Sequence, residues 1–170
     1  RLTDGSENLK LLRSLAELHS RVKNFDKSVE YYERFNKTNL RSDAAVDRAI
    51  VDTKLLQFDW RIKKAAQGET GELSAERTAF EMAQIQRLSD TYPSDLSLRY
   101  DLGVLQFEAG EITAAIQSFQ RAQANPHREI GSLMYIGRCF AKRGMNDMAA
   151  GTLQKALEKK VVMDDEKMDL

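Results

Sequence analysis

Two glycines, Gly103 and Gly137, stand 34 residues apart, and the residues around each recur in the same order. Leu102 answers to Ile136, Gly110 to Gly144, Ala115 to Ala149, Phe119 to Leu153 and Ala122 to Ala156, always at that spacing of 34. A self-match at this period marks a helix–turn–helix unit that cannot bury its apolar face alone and does so by stacking on its neighbours. The expected fold class is therefore all-α, an α-α superhelix in which helical hairpins form a right-handed solenoid. Such a pattern says more about how a chain binds than about what it binds.

Only two prolines occur, Pro93 and Pro126, both at expected helix boundaries. No run alternates apolar and polar residues long enough to read as a strand. Leu9, Leu12, Leu15, Ala16 and Leu18 give a first helix over about residues 6–22, and Asn24 is the expected N-cap of a second carrying Phe25, Val29, Tyr32 and Phe35. Ser42 opens a longer helix whose two apolar stripes, Val51, Leu55, Phe58 and Ile62 beside Ile50, Leu56 and Trp60, make a wide face. It breaks in the segment Gln67 to Gly71, and a partner helix runs to Tyr92-Pro93. This second hairpin, about 42–66 and 72–91, is longer than one period, and Trp60 is expected between its helices. Ser94 and Asp95 then cap helix 96–109, closed by Gly110; helix 112–124 reaches Asn125-Pro126; helices 129–143 and 146–159 flank Gly144. The units are thus 6–40, 42–93, 94–127 and 128–161, in one domain over 1–170. Residues 164–170 are expected to open a further repeat, with Met168 and Leu170 as an apolar end that promotes weak self-association.

Composition narrows the function. Lysine plus arginine and aspartate plus glutamate number 26 each, so the basic excess of a general nucleic-acid binder is missing. No apolar stretch approaches the roughly 20 residues that span a bilayer, and no signal-peptide pattern is present in this segment. The single Cys139 cannot form an internal disulfide, which leaves the compartment open. The chain starts at Arg1 and reads as a piece of something longer, so localisation is unknown.

Leu102, Gly103, Phe107, Gly110, Ala115, Phe119, Ala122 and Pro126 resemble the tetratricopeptide repeat, as do Leu133, Ile136, Gly137, Phe140, Gly144, Ala149, Leu153 and Ala156. Two departures stand out: Arg99 where that family usually has a large apolar residue, and Phe35 where it has alanine. The resemblance implies a concave groove, lined by the first helix of each hairpin, that takes a peptide or partner helix. Carried over by phase, its lining would be Lys10, Arg13 and Glu17, then Tyr100, Val104 and Phe107, then Met134, Arg138 and Lys142, with Ser97, Glu108 and Ala141 beside them. Aromatic and arginine side chains are what interface hot spots favour. The alternative for Phe107 is a place in the core, and for Arg138 a solvated surface.

Catalytic and metal readings find little support. His19 and His127 are far apart, Cys139 reads as a small buried apolar residue, and no His/Cys/Asp/Glu cluster has metal-ligand spacing. Gly68 and Gly71 precede no lysine–serine or lysine–threonine pair that a phosphate loop needs. Arg61, Lys63 and Lys64 suit the negative end of a helix dipole. No cofactor is expected. The sequence thus reads as a non-enzymatic adaptor or scaffold module with a protein or peptide partner; the alternative is a regulatory or docking segment of a larger enzyme-containing protein.

Overall fold

The structure is a computed structural model of the chain and describes residues 8–39, 43–66 and 68–168, with side chains to residue 161. The described residues form eight helices and no strand: α1 (Leu9–Arg21), α2 (Phe25–Thr38), α3 (Ala44–Lys64), α4 (Thr70–Thr91), α5 (Leu96–Glu108), α6 (Ile112–Ala122), α7 (Pro126–Lys142) and α8 (Asn146–Met168). None of them is long and apolar enough to cross a membrane. The chain divides into two compact units, one up to Gln84 and one from Ile85 on.

In the first unit α1 packs on α2 and α2 on α3. Leu12, Ala16, Tyr32, Phe35 and Val46 form its core, so the phenylalanine at residue 35 is accommodated by burial. Ser28 Oγ donates to the carbonyl of Ala16 at 2.8 Å, which satisfies a hydroxyl buried between α1 and α2. Asn24 precedes α2 as expected, but its side chain accepts no backbone N–H. The turn before it uses Lys23 at φ 62°, and Asn24 itself is at φ −93°, ψ 65°, away from the extended conformation that lets a cap reach forward. Asp43 does cap α3, accepting from Ala45 N at 2.9 Å and Val46 N at 3.3 Å.

α3 and α4 are 21 and 22 residues long, against 13 for both α1 and α5. Residues 68–69 form a turn between them, not a long irregular loop. Phe58 of α3 meets Phe80 of α4 with ring centroids 5.6 Å apart, and Arg77 Nε donates to Asp59 Oδ1 at 2.7 Å. Trp60, expected between these helices, borders the open cleft at their tip with Glu72, Leu73 and Glu76 of α4, while its ring also lies 6.5 Å from that of Phe25 in α2 and the residue stays 39 % exposed. Two positions along a helix are about 200° apart, so Phe58 and Trp60 leave α3 in different directions, the phenylalanine meeting the Phe80 ring and the tryptophan bordering the cleft.

In the second unit α5 packs on α6, α6 on α7, α7 on α8, and α5 touches α7. Asp95 caps α5, accepting from Ser97 N at 3.0 Å, and Asn125 caps α7, accepting from His127 N at 3.0 Å with Pro126 at the first helical position. Gly110 and Gly144 close α5 and α7 at φ +81° and +74°, where a side chain would be strained. The period-34 glycines sit where a side chain of the partner helix fills the space a Cβ would take. A Cβ at Gly103 would lie 2.9 Å from Phe119 Cε1, and one at Gly137 would lie 2.7 Å from Leu153 Cγ. Phe119, Ala115, Ile116, Ile136 and Cys139 make the core here.

The last helix departs from expectation. A stop at 159 and a fresh helix from 164 were expected; instead α8 is continuous from Asn146 to Met168, 23 residues. No glycine or proline follows Gly151, and the Lys, Glu and Met of the stretch favour helix, so nothing ends it. The expected docking of Met168 and Leu170 lies outside the described side chains.

Candidate protein-binding surface

Arg128, Gly131, Tyr135, Arg138 and Lys142 recur along α7 at steps of three and four, which puts them on one helix face. That face meets α5. Gly131 leaves room for Tyr100, whose hydroxyl would be only 2.9 Å from a Cβ there. Tyr135 stacks on Phe119 at 4.7 Å with the planes 12° apart, and meets Phe107 and Tyr100 edge-on at 5.4 and 6.0 Å. Rings in such offset and T-shaped pairs add roughly 0.5–1.5 kcal/mol each beyond their area.

The cations lie over these rings. Arg138 sits 4.9 Å from the centre of Phe107 and 5.0 Å from that of Tyr135; Lys142 is 4.0 Å from Phe107, and Arg128 is 4.8 Å from Tyr100. Each contact is worth roughly 0.5–1 kcal/mol at an exposed site. Their larger consequence is positional, because long side chains that would otherwise sample many rotamers are held against a rigid aromatic floor. Arg138 and Lys142 remain solvent-exposed. Burial pushes the Tyr100 phenol up from its ordinary 10.0, with Tyr135 adding and Arg128 opposing, so it stays a neutral donor.

The structure thus brings together Tyr100, Val104, Phe107, Arg138 and Lys142 of the expected lining, and gives them unequal parts. Phe107 and Val104 belong to the core cluster, Phe107 beneath the cations. Met134 faces elsewhere: 50 % exposed, it borders an apolar hollow of about 280 Å³ with Ile130, Leu153 and Leu157. Lys10, Arg13 and Glu17 lie exposed on α1 in the first unit, where Arg13 Nε donates to Glu17 Oε1 at 3.2 Å. Arg128 and Tyr135 were missed, although the sevenfold spacing 128, 135, 142 was there to be read.

Cys139 is fully buried, and burial pushes its thiol up from 9.0 despite the opposing pull of Lys142 and Arg138, which suits packing and not nucleophilic attack. His19 stacks on Tyr31 at 5.3 Å, and His127 is exposed. Arg61 and Lys64 border an open cleft of about 470 Å³ at the tip of α3 and α4, facing Glu69, Glu72 and Glu76.

Residues 132–159 match the sequence profile of the tetratricopeptide repeat. No curated protein matches the chain in sequence. Among solved structures it resembles MamA, with a TM-score of 0.59 and 16 % identity over 93 % of this chain and 81 % of that one. The MamA 41-end structure from Desulfovibrio magneticus RS-1 gives 0.53 at 15 % identity, over 94 % and 99 %. YrrB, described as a TPR protein with an unusual peptide-binding site, gives 0.51 at 14 % identity, over 91 % and 93 %. At these identities the likeness speaks for the fold.

Proposed function

We propose that the chain, whose residues 132–159 match the tetratricopeptide repeat and whose fold is one of helical hairpins, acts as a non-enzymatic protein-interaction module. The observation that carries this reading is the cationic stripe of α7, where Arg138 and Lys142 are exposed yet held over Phe107 and Tyr135. Pre-positioned cations lose little freedom when a ligand arrives, so more of the contact energy appears as affinity. The ligand that suits them is a peptide or partner helix with acidic side chains at helical or extended spacing along α7. Met134 lies on another face of α7, outside this stripe, and Lys10, Arg13 and Glu17 form a separate polar surface on α1 of the first unit. YrrB, with its peptide-binding site, supports the reading by analogy of fold.

The test is a pull-down with the 170-residue chain against its Arg138→Glu/Lys142→Glu variant, with the fold of both checked by circular dichroism. Partners recovered with the wild type should be lost from the variant. An unchanged set of partners would remove this surface from consideration.

A further inference from the structure

A second polar site lies in the α5/α6 hairpin and involves none of the α7 stripe. At residue 99 the first repeat of the matching pair carries arginine where the next, 34 residues on, has Leu133; likewise Gln106 stands for Phe140 and Ala114 for Met148. Three apolar positions have become a guanidinium, an amide and a methyl group. The result is a cavity of about 180 Å³ bordered by Arg99, Gln106 and Ser118, with Gln86, Gln117 and Arg121 at its sides.

The chemistry of this cavity is lopsided toward donors. Ser118 Oγ donates to Gln106 Oε1 at 2.7 Å, which occupies the acceptor of that buried amide and leaves its Nε2 as a donor. The Arg99 side chain is only 13 % exposed, yet its two contacts both use one terminal nitrogen, at 3.3 Å to the Ser89 carbonyl and 3.4 Å to Asp90 Oδ1. Asp90 is itself well exposed and also takes a shorter bond, 2.8 Å, from Gln86 Nε2. Arg99 and Arg121 thus both border the cavity, and the carboxylate paired with Arg99 is that of Asp90, at 3.4 Å. A planar fork of this kind is matched by a carboxylate that accepts two parallel N–H bonds. Withdrawing such a group from water without a full set of partners is unfavourable, and an apolar residue at 99 would avoid it.

We propose that this cavity is a carboxylate-binding subsite that receives a glutamate or aspartate side chain of a partner protein, with Arg99 as the main anchor and Arg121 as the second cation. The probe is an acetylated, amidated alanine peptide with one central glutamate, titrated into the full chain. Its counterpart with glutamine in place of glutamate is the control, and inorganic phosphate is a third arm. The readout is the side-chain Nε–Hε signals of Arg99 and Arg121 by NMR. The glutamate peptide should shift both and the glutamine peptide neither. Arg99→Leu, which installs the residue of the next repeat, should weaken binding roughly tenfold or more while leaving the melting temperature equal or higher. Asp90→Asn should tighten binding by removing the resident competitor. Absence of a shift with the glutamate peptide, or equal shifts with both peptides, overturns the proposal. A fall in melting temperature for Arg99→Leu would then identify the guanidinium as a cap on the α4 carbonyl alone. Tighter binding of phosphate than of the glutamate peptide overturns the assignment to a carboxylate.

Discussion

The hairpins α5/α6 and α3/α4 solve the same packing problem in opposite ways. In α5/α6 a glycine faces a fully buried phenylalanine: Gly103 lies against Phe119, which α7 covers with the stacked ring of Tyr135. In α3/α4 two half-buried phenylalanines meet ring to ring, an arginine bridges to the opposite helix, and the tip opens into a cleft. Close approach needs small residues at fixed places and so leaves a periodic trace in the sequence. Contact through long side chains tolerates many arrangements and leaves none. The difference in burial also implies a difference in energy, which mutation can measure.

The largest contrast should come from the phenylalanines. Phe119→Ala empties a fully buried site between α5 and α7 and should cost about 3–5 kcal/mol. Phe80→Ala, at a half-buried site, should cost about 1–2 kcal/mol. Urea unfolding of both variants checks this, and equal losses would erase the distinction between the two hairpins.

The glycines sharpen it further. A methyl group at Gly137 would come nearer its neighbour, 2.7 Å, than one at Gly103, 2.9 Å. Distance alone would make Gly137→Ala the worse change. But Leu153 is 41 % exposed and has room to turn aside, whereas Phe119 is fully buried, stacked on Tyr135 and in a T-shaped contact with Tyr100. Alanine also gains about 1 kcal/mol over glycine in a helix interior. We expect Gly137→Ala to be close to neutral, and Gly103→Ala to lose stability because overpacking strain of about 1–3 kcal/mol exceeds that gain. If Gly137→Ala proves the more damaging, proximity and not the freedom to yield governs these contacts.

How much could be read from residues follows the same line. The 34-residue match located α5 to α8 and the glycines that close α5 and α7 because each position answers to one steric demand, and Asp95 declared its helix start, whereas α7 starts at Pro126 under an Asn125 cap, three residues before the expected 129. The length of α3 and α4 was visible in their apolar stripes. Which ring of α3 would meet the Phe80 ring was not, since Phe58 and Trp60 are both large and apolar. The surface was less legible than the fold. Phase placed Tyr100, Phe107, Arg138 and Lys142 near one another, but that the cations would lie over the rings depends on the α5–α7 separation allowed by Gly131. The continuation of α8 went unread because the period was extrapolated past a stretch with no helix breaker.

A smaller effect tests the tie across α3/α4. Arg77 Nε donates to Asp59 Oδ1 at 2.7 Å and its NH1 to Glu81 Oε2 at 2.8 Å; the bond to Asp59 is the main reason its pKa is raised. Side chains exposed to 28 % and 44 % are screened by water, so a double-mutant cycle with Arg77→Met and Asp59→Asn should give a coupling of about 0.2–1 kcal/mol. It should shrink as salt is raised toward 1 M. A coupling well above that range would mean the long hairpin is held by charge as firmly as the short one is by packing.

The smallest expected effect lies in alkaline solution and concerns the glycine-packed unit. Cys139 is buried beside Phe107, Phe119 and Ile136, and burial raises its thiol above 9.0, more than Lys142 and Arg138 lower it. A raised folded value means the folded state holds the proton more tightly than the unfolded chain. The associated stability is complete below about pH 9 and is lost as pH climbs through the folded value. Wild type should therefore exceed Cys139→Ala in melting temperature at pH 7.5, by the packing of one sulfur atom, and the gap should narrow by pH 10. The buried tyrosines Tyr32 and Tyr100 shift in the same direction but are common to both proteins, so they cancel in the difference. A gap that stays constant across this range would show that the thiolate is tolerated in place. The core around Phe119 would then be more yielding than its burial implies, and the contrast with the long hairpin would weaken accordingly.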